Sequence, residues 1–375
     1  MTLPLRWVIA YATGLLLAAV GCASESATGG PGVTRPALST PRARAFGDIN
    51  RVNVVADEVL LAGPVGDSLS YYYEQAYPLM PQPEATYDLT YFTPEQLAEK
   101  PARREMRTYL VLADLNDESS PTTQMALRDL GEEKFLAARE DYRRGTSIVT
   151  DRWATDQTLI YLLGEGPDEL GRLVARSYPS ASARIAAADR AKLEANTYQS
   201  GRATVVRDSI RALTGVTIDI PTDYRVAKAE ENLVWLRRDL RDIVQNVIVS
   251  SVPYTGEAQL SADNAVALRN DLGRRAVRSN TPGSYMTTND RDLPVLTEVT
   301  ELNGAYALEA RGVWEMTDDF MGGPFFTYLI PDSASGRLYV VDAFAFAPSR
   351  GKRNYMQQLE LIARSARVGA GTPAG

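Results

Sequence analysis

The alternation of apolar and polar positions predicts strands and helices mixed throughout the first half of the chain. Short runs rich in β-branched and aromatic residues predict strands at 52–56, 85–92 and 107–112, and a hairpin with arms at 147–150 and 157–163 that bends at Trp153. Helical spacing predicts helices at 65–76, at 122–143, from Pro167 onward, and over an Ala- and Arg-rich region at 181–213. We therefore expect an N-terminal α+β domain over residues 47–213.

The second half carries more strand patterns than helix patterns. Strands are predicted at 217–220, 226–229, 233–237, 244–252, 296–302, 304–315 and 325–347, the last with a turn at 332–336. One helix is capped by Ser261 and runs to about residue 277, and another covers 353–366. We expect a C-terminal α+β domain over 214–367 and a disordered tail over 368–375. The fold class is thus α+β, with two α/β subdomains whose sheets are largely antiparallel and flanked by helices.

The amino terminus has the layout of a secretory signal peptide over residues 1–21. Arg6 precedes an apolar run at 7–19, which is shorter than the about 20 residues that a membrane span needs. The residues from Leu17 to Cys22 resemble the lipobox of bacterial lipoproteins, although Ala19 stands where leucine is most usual. This resemblance implies that Cys22 is lipidated and becomes the new amino terminus. The alternative is a buried apolar helix with an incidental cysteine.

The segment that follows the lipobox has the composition of a linker. Residues 22–46 are rich in Ser, Thr, Gly, Pro and Ala and show no hydrophobic period, which predicts a lipid-anchored flexible tether. Ala23, rather than an aspartate, follows the cysteine, and resemblance to known lipoproteins then implies the outer membrane, facing the periplasm. The predicted partner at this end is the membrane, contacted through the lipid.

Composition narrows the chemistry that the chain can perform. Its 40 basic and 47 acidic residues give a formal net charge of -7, which disfavours nucleic acid as a partner. The chain has no histidine, and Cys22 is its only cysteine, which excludes histidine triads, thiol catalysis and zinc sites built on these residues. We assign no catalytic residue and predict no cofactor and no metal site.

The best candidate for a ligand site is the segment 309–325. Period two on a strand places Glu309, Arg311 and Glu315 on one face, beside a predicted turn made of Asp318, Asp319, Gly322 and Gly323. Such a set can bind a cation or a polar ligand, or supply the paired carboxylates of a glycosidase. The alternative is a salt-bridged outer face of the sheet with a tight glycine turn.

Three other patterns favour structural roles. Asp342 points into an apolar layer of its strand and therefore needs a partner, for which Arg311 and Arg353 are candidates. The residues around Gly164 and Gly166 superficially suggest a phosphate loop, but neighbouring acids would repel a phosphate, so we predict an ordinary turn and helix start. Asp114, Asn116 and Glu118 have the spacing of calcium ligands without the glycine and glutamate that complete such a loop, so we predict a solvated loop.

Several phrases along the chain resemble a family of Gram-negative cell-envelope lipoproteins known only as a domain of unknown function. They are Gly63-Pro-Val-Gly-Asp67, Met80-Pro-Gln-Pro-Glu84, Trp153-Ala154, Trp235-Leu-Arg237, Gly283-Ser-Tyr-Met286, Arg311-Gly-Val-Trp314 and Asp319-Phe-Met-Gly-Gly-Pro-Phe325. The resemblance implies an address in the cell envelope and no particular activity. The order of strands and helices in the C-terminal half also resembles the photosystem extrinsic subunit PsbP.

Two functions are compatible with these observations. The first is non-catalytic binding or scaffolding at the membrane surface, with an envelope protein or glycan as the partner. The second is a carboxylate-based hydrolase that acts on envelope glycans or peptides and uses the acids of segment 309–325.

Overall fold

The computed structural model describes residues 42–369, which contain two β-sheets with helices packed against them. This confirms the prediction of a mixed fold of helices and sheets. The predicted signal peptide, Cys22, residues 22–41 of the predicted tether and residues 370–375 of the predicted tail lie outside the described residues. In the rest of the tether, Arg44 and Phe46 form isolated bridges with Thr155 and Met106. The described residues all belong to one compact unit.

The first sheet has five strands, and most of them pair in parallel. In chain order they are β1 (Arg51–Val55), β2 (Asp88–Phe92), β3 (Thr108–Asp114), β4 (Thr146–Thr150) and β5 (Thr158–Gly164), arranged as β2-β1-β3-β5-β4. The sheets were expected to be largely antiparallel, but in this sheet only β4 and β5 pair in that way. The other pairs are parallel because connections that contain helices join their strands. Strands β3 and β5 are buried along almost their whole length, as in other parallel sheets.

Six helices surround this sheet. They are α1 (Glu58–Leu61), α2 (Pro64–Tyr73), α3 (Pro94–Glu99), α4 (Pro121–Leu130), α5 (Glu132–Glu140) and α6 (Gly166–Thr197). Apolar residues of α2 and α6 form a core with one face of the sheet, and residues of α3, α4 and α5 form a core with the other. Helix α6 continues through Pro179, so the helices predicted to start at Pro167 and at residue 181 are one element.

The second sheet is antiparallel. Its strands are β6 (Arg225–Glu230), β7 (Leu233–Asp239), β8 (Val244–Pro253), β9 (Met286–Asn289), β10 (Leu296–Leu302), β11 (Ala305–Met316), β12 (Asp319–Asp332) and β13 (Arg337–Phe346). Their order is β10-β11-β12-β13-β8-β7-β6, and β9 pairs with the far end of β11. The strand predicted at 217–220 is wrong, since this segment contributes only an isolated bridge between Thr217 and Arg367.

Three helices cover the second sheet. Helices α7 (Thr204–Thr214) and α9 (Arg353–Ala363) contribute to the core on one face, and α8 (Ala262–Ala276) contributes to the core on the other. Ser261 caps α8 as predicted, because its hydroxyl accepts a hydrogen bond of 3.3 Å from the amide of Asn264. Helix α9 also packs against α6 of the first half, so the two sheets are joined through helices.

Glu84, in the first half of the chain, binds the amino-terminal end of α9 through its carboxylate. Glu84 accepts hydrogen bonds from the backbone amides of Lys352, at 2.7 and 2.8 Å, and of Arg353, at 2.9 Å. The first amides of a helix have no partner within the helix, and the positive end of the helix dipole attracts an acid. The Arg353 side chain adds an ion pair of 2.8 Å to Asp88 on β2. These contacts hold the second half to the first.

Candidate functional site

Glu309 and Arg311 lie on β11 and face the core beneath α9, not the solvent. Arg311 forms ion pairs with Glu309 and with Glu360 of α9, and Arg364 lies 3.3 Å from the second oxygen of Glu309. The Tyr77 hydroxyl donates a hydrogen bond of 3.2 Å to Glu360. The prediction of salt bridging is confirmed, but the expectation of an outer sheet face is wrong, because Glu309 is buried.

The charges in this network stabilise one another. Burial alone would lower the pKa of Arg311, but Glu360 and Glu309 raise it above its ordinary value. Glu360 and Arg364 were not predicted to belong to this network, since they lie far along the chain on another element. Their spacing of four positions on one helix face was the available signal.

The other predicted site residues gather at the opposite end of β11. Glu315 accepts hydrogen bonds from Arg291, at 2.9 Å, and from Asn289, at 3.0 Å. Because Glu309 and Glu315 are six positions apart on one strand, they are separated by about 20 Å. Paired glycosidase carboxylates stand about 5 to 9.5 Å apart. Glu309 and Glu315 therefore cannot form such a pair.

Residues at this end of β11 line a groove of about 420 Å³, which we call the hairpin groove. Glu315, Asp319, Gly322 and Gly323 are among its lining residues, whereas Asp318 is exposed in the turn beside it. The apolar lining includes Trp314, Met316, Phe320, Met321 and Phe346. Phe320 is fully exposed at this site, so the groove has an apolar side chain at its rim.

Gly322 and Gly323 belong to strand β12 and not to the predicted turn. They pair with Glu315 and Trp314 across the ladder. A Cβ atom on Gly323 would lie 2.1 Å from the carbonyl oxygen of Ala345, so no larger residue fits there without a shift of the backbone. The Trp314 indole passes this position and donates a hydrogen bond of 3.1 Å to the same carbonyl. The glycine thus permits the close packing that supports the groove.

Asp342 forms a fully buried ion pair with Arg269 of α8. Arg269 Nε donates to Asp342 Oδ1 at 2.9 Å, and the Thr327 hydroxyl donates to the same oxygen. The two predicted partners, Arg311 and Arg353, are wrong, because both lie towards the opposite face of the sheet and pair elsewhere. Burial raises the pKa of Asp342 and lowers that of Arg269, and their attraction opposes both shifts.

Aromatic rings complete the surroundings of this pair. The guanidinium carbon of Arg269 lies 3.7 Å from the ring centroid of Phe325, so the cation stacks on an aromatic face. Arg269 also donates a hydrogen bond of 3.3 Å to the Thr288 hydroxyl. The pair therefore ties α8 to strands β9, β12 and β13 from inside the core.

At the carboxyl end of β3, the chain itself occupies part of the crevice along the edge of the first sheet. Asp114 Oδ1 accepts hydrogen bonds from the amides of Gly166, at 2.8 Å, and Asn116, at 2.9 Å. Open parallel sheets commonly bind ligands in this crevice, and a phosphate would use such amides. The predicted turn and helix start at Gly166 is confirmed, since α6 begins there.

We searched the described residues for metal sites and for membrane-spanning helices. Between residues 42 and 369, no group of three or more Asp, Glu, His or Cys side chains is arranged to hold a metal ion. Over the same range, no helix is both long and apolar enough to cross a membrane.

Two family models match the chain, and each covers about two fifths of it. Residues 45–197 match a domain of unknown function (DUF8532), and residues 203–365 match a second domain of unknown function (DUF4837). The expectation of an uncharacterised family is thus confirmed, and no specific molecular role follows from either model. None of the curated proteins compared with the chain is similar to it.

Similarity to solved structures is weak. A mutant of the protein Mog1 matches with 11% identity and a TM-score of 0.27, over 41% of this chain and 90% of that chain. The lipid transfer and protein localization domain of human StarD13 (DLC2) matches with 11% identity and a TM-score of 0.20, over 43% of this chain and 92% of that domain. At these TM-scores neither likeness carries an argument about fold or function.

Proposed function

We propose that this chain is a non-catalytic, lipid-anchored lipoprotein of the cell envelope whose hairpin groove binds an apolar segment of another envelope protein. The observation that carries the proposal is the fully exposed Phe320 at a groove lined by Met316, Met321 and Phe346. Phe320 and these groove residues together form a contiguous apolar patch, and exposed patches of this kind mark protein interaction sites. Cys22, within the residues that resemble a lipobox, supports the membrane anchor.

The groove suits a peptide better than a glycan. Sugars stack on exposed aromatic faces, and the only exposed ring among these lining residues is that of Phe320, since Trp314 is 2% exposed and its indole is bound to the Ala345 carbonyl. Two methionines line the groove, and their flexible thioether side chains adapt to varied apolar partners. Asp319 and Lys352 also line the groove and add one acidic and one basic group beside its apolar residues.

Site-specific crosslinking tests the groove. A photoreactive amino acid placed at Phe320 in the full-length protein in cells is expected to crosslink to one envelope protein, and Met321→Ser combined with Phe346→Ser is expected to abolish that product. The same probe at Tyr71, an exposed position on α2, serves as the matched control. Equal crosslinking from both positions, or a monomer that turns over an envelope substrate, would refute the proposal.

Membrane fractionation tests the anchor separately. Cys22→Ser is expected to move the protein from the membrane pellet to the soluble fraction, because each buried methylene of an acyl chain contributes about 0.8 kcal/mol to membrane binding. The groove variants should stay in the pellet. A Cys22→Ser protein that still pellets would contradict lipid anchoring without bearing on the groove.

A further inference from the structure

Strand β10 is an open edge of the second sheet. Among residues 42–369 it pairs with β11 alone, in an unbroken register from Leu296 to Leu302. Leu302 is its only buried residue, and Leu296 and Val299 are 52% and 60% exposed. Both faces of most of this strand are therefore open to solvent, so it contributes little to the core.

The opposite edge of the sheet has protection that β10 lacks. Strand β6 has a register shift between Val226 and Lys228 against β7, and it carries a lysine and an arginine. A bulge and basic side chains are the usual means of keeping another strand from pairing with an edge. Strand β10 has neither a register shift nor a basic residue.

The turn that follows β10 and its hydrogen bonds hold β10 in an extended conformation. Asn303 and Gly304 both have positive φ, at 51° and 87°, and form the two-residue turn into β11. The Asn303 side chain donates hydrogen bonds to the carbonyls of Arg364, at 2.9 Å, and Ala366, at 2.8 Å, after α9. Pairing with a partner strand would therefore cost little conformational entropy in β10, because β10 is already ordered.

The charges on β10 select the partner. Glu298 and Glu301 are exposed on opposite faces of the strand. Glu298 lies opposite Glu309, whose carboxylate is already neutralised by Arg311 and Arg364. A second copy of this chain, with net charge -7, would bring the same two carboxylates to the edge.

We infer that β10 is a docking strand for an extended basic segment of a partner protein. This segment pairs with β10 as a further strand of the sheet, and it carries two cationic side chains three positions apart. Backbone hydrogen bonds to the free edge supply affinity, and the two cations opposite Glu298 and Glu301 supply selectivity. This surface is distinct from the hairpin groove, and neither proposal depends on the other.

A synthetic peptide tests the edge directly. The probe is the blocked peptide Thr-Lys-Thr-Val-Lys-Thr-Val, and its control replaces both lysines by glutamates. We expect the lysine peptide to bind the full chain in fluorescence anisotropy and to slow hydrogen exchange at the amides of 296–302. The glutamate peptide should bind at least about tenfold more weakly, because two exposed ion pairs are replaced by repulsion.

Reversing the charges on β10 tests whether they determine which peptide binds, independently of any effect on folding. Glu298→Lys combined with Glu301→Lys should exchange the preference, so that the glutamate peptide binds and the lysine peptide does not. Glu231→Lys combined with Glu257→Lys makes the same charge change at exposed positions elsewhere and should leave the preference unaltered. Absence of peptide-dependent protection on β10 would overturn the inference. Protection that instead follows protein concentration, with a dimer in sedimentation, would overturn it in favour of a second copy.

Discussion

The buried pair of Asp342 and Arg269 shows how single residues hold the second sheet to α8. Both side chains have no exposed surface, and one oxygen of Asp342 has no hydrogen-bond partner among the described residues. Moving two charges out of water costs several kcal/mol for each ion, and their attraction offsets this only while both are present. The pair therefore makes the core sensitive to loss of either member.

Asp342→Asn is expected to lower the free energy of unfolding by about 3 to 5 kcal/mol, because it leaves Arg269 charged and unpaired in the core. The double variant Arg269→Met with Asp342→Asn should recover about 1 to 3 kcal/mol of that loss. Urea unfolding of the wild type, both single variants and the double variant measures the coupling. Losses that simply add would show that the two side chains do not stabilise each other.

At the scale of elements, the contact between Glu84 and α9 connects the two halves. The carboxylate takes the place of a capping side chain, although it comes from a loop 268 positions away. Arg353 and Asp88 strengthen the same junction with an ion pair. The start of α9 is thus stabilised by the first half of the molecule.

Glu84→Ala is expected to reduce the free energy of unfolding by about 1 to 2 kcal/mol and to speed hydrogen exchange at the amides of Lys352 and Arg353. Glu84→Gln should lose less, since the amide oxygen still accepts a hydrogen bond. Glu74→Ala, at an exposed position after α2, is the control and should leave these amides unaffected. Unchanged exchange in Glu84→Ala would contradict a capping role.

Local patterns predicted most elements, but not the contacts between them. The Ser261 cap and the strands of the second half depend on neighbouring residues, so the sequence specifies them directly. The partner of Asp342 lies 73 positions away on a helix, where an arginine ordinarily faces solvent, so no local pattern identified it. The parallel pairing of β3 did leave a signal, since its apolar run from Tyr109 to Ala113 is unbroken and not alternating.

The candidate site was predictable only as a stretch of sequence. Glu315, Asp319, Gly322 and Gly323 do lie together at the hairpin groove. Glu309 and Arg311 do not, because α9 folds back over them and supplies Glu360 and Arg364. Strand alternation fixes which residues share a face, but it does not indicate which part of that face a distant helix covers.

Tyrosines, rather than histidines, are expected to determine how the folding stability of this protein depends on pH. The chain has no histidine, so few groups change charge between about pH 6 and 9. Burial raises the pKa of Tyr73, Tyr161, Tyr224 and Tyr328 above the ordinary 10.0. The folded state keeps these protons at pH values where the unfolded chain releases them.

Stability is therefore expected to be nearly constant from about pH 6 to 9 and to fall above pH 10, by up to about 1.4 kcal/mol per pH unit for each such tyrosine. The sign follows because the unfolded state binds fewer protons in that range. Urea unfolding at several pH values measures the slope, and Tyr328→Phe should reduce it by one tyrosine. A decline that begins near pH 7 would contradict this assignment.

Asp114 has a consequence for what the first sheet can recognise. Its carboxylate is an anion already tethered at the amide of Gly166, so a free phosphate or nucleotide must compete with a ligand whose effective concentration does not fall on dilution. A phosphate or nucleotide that binds at the end of β3 would therefore have to displace Asp114 from the start of α6.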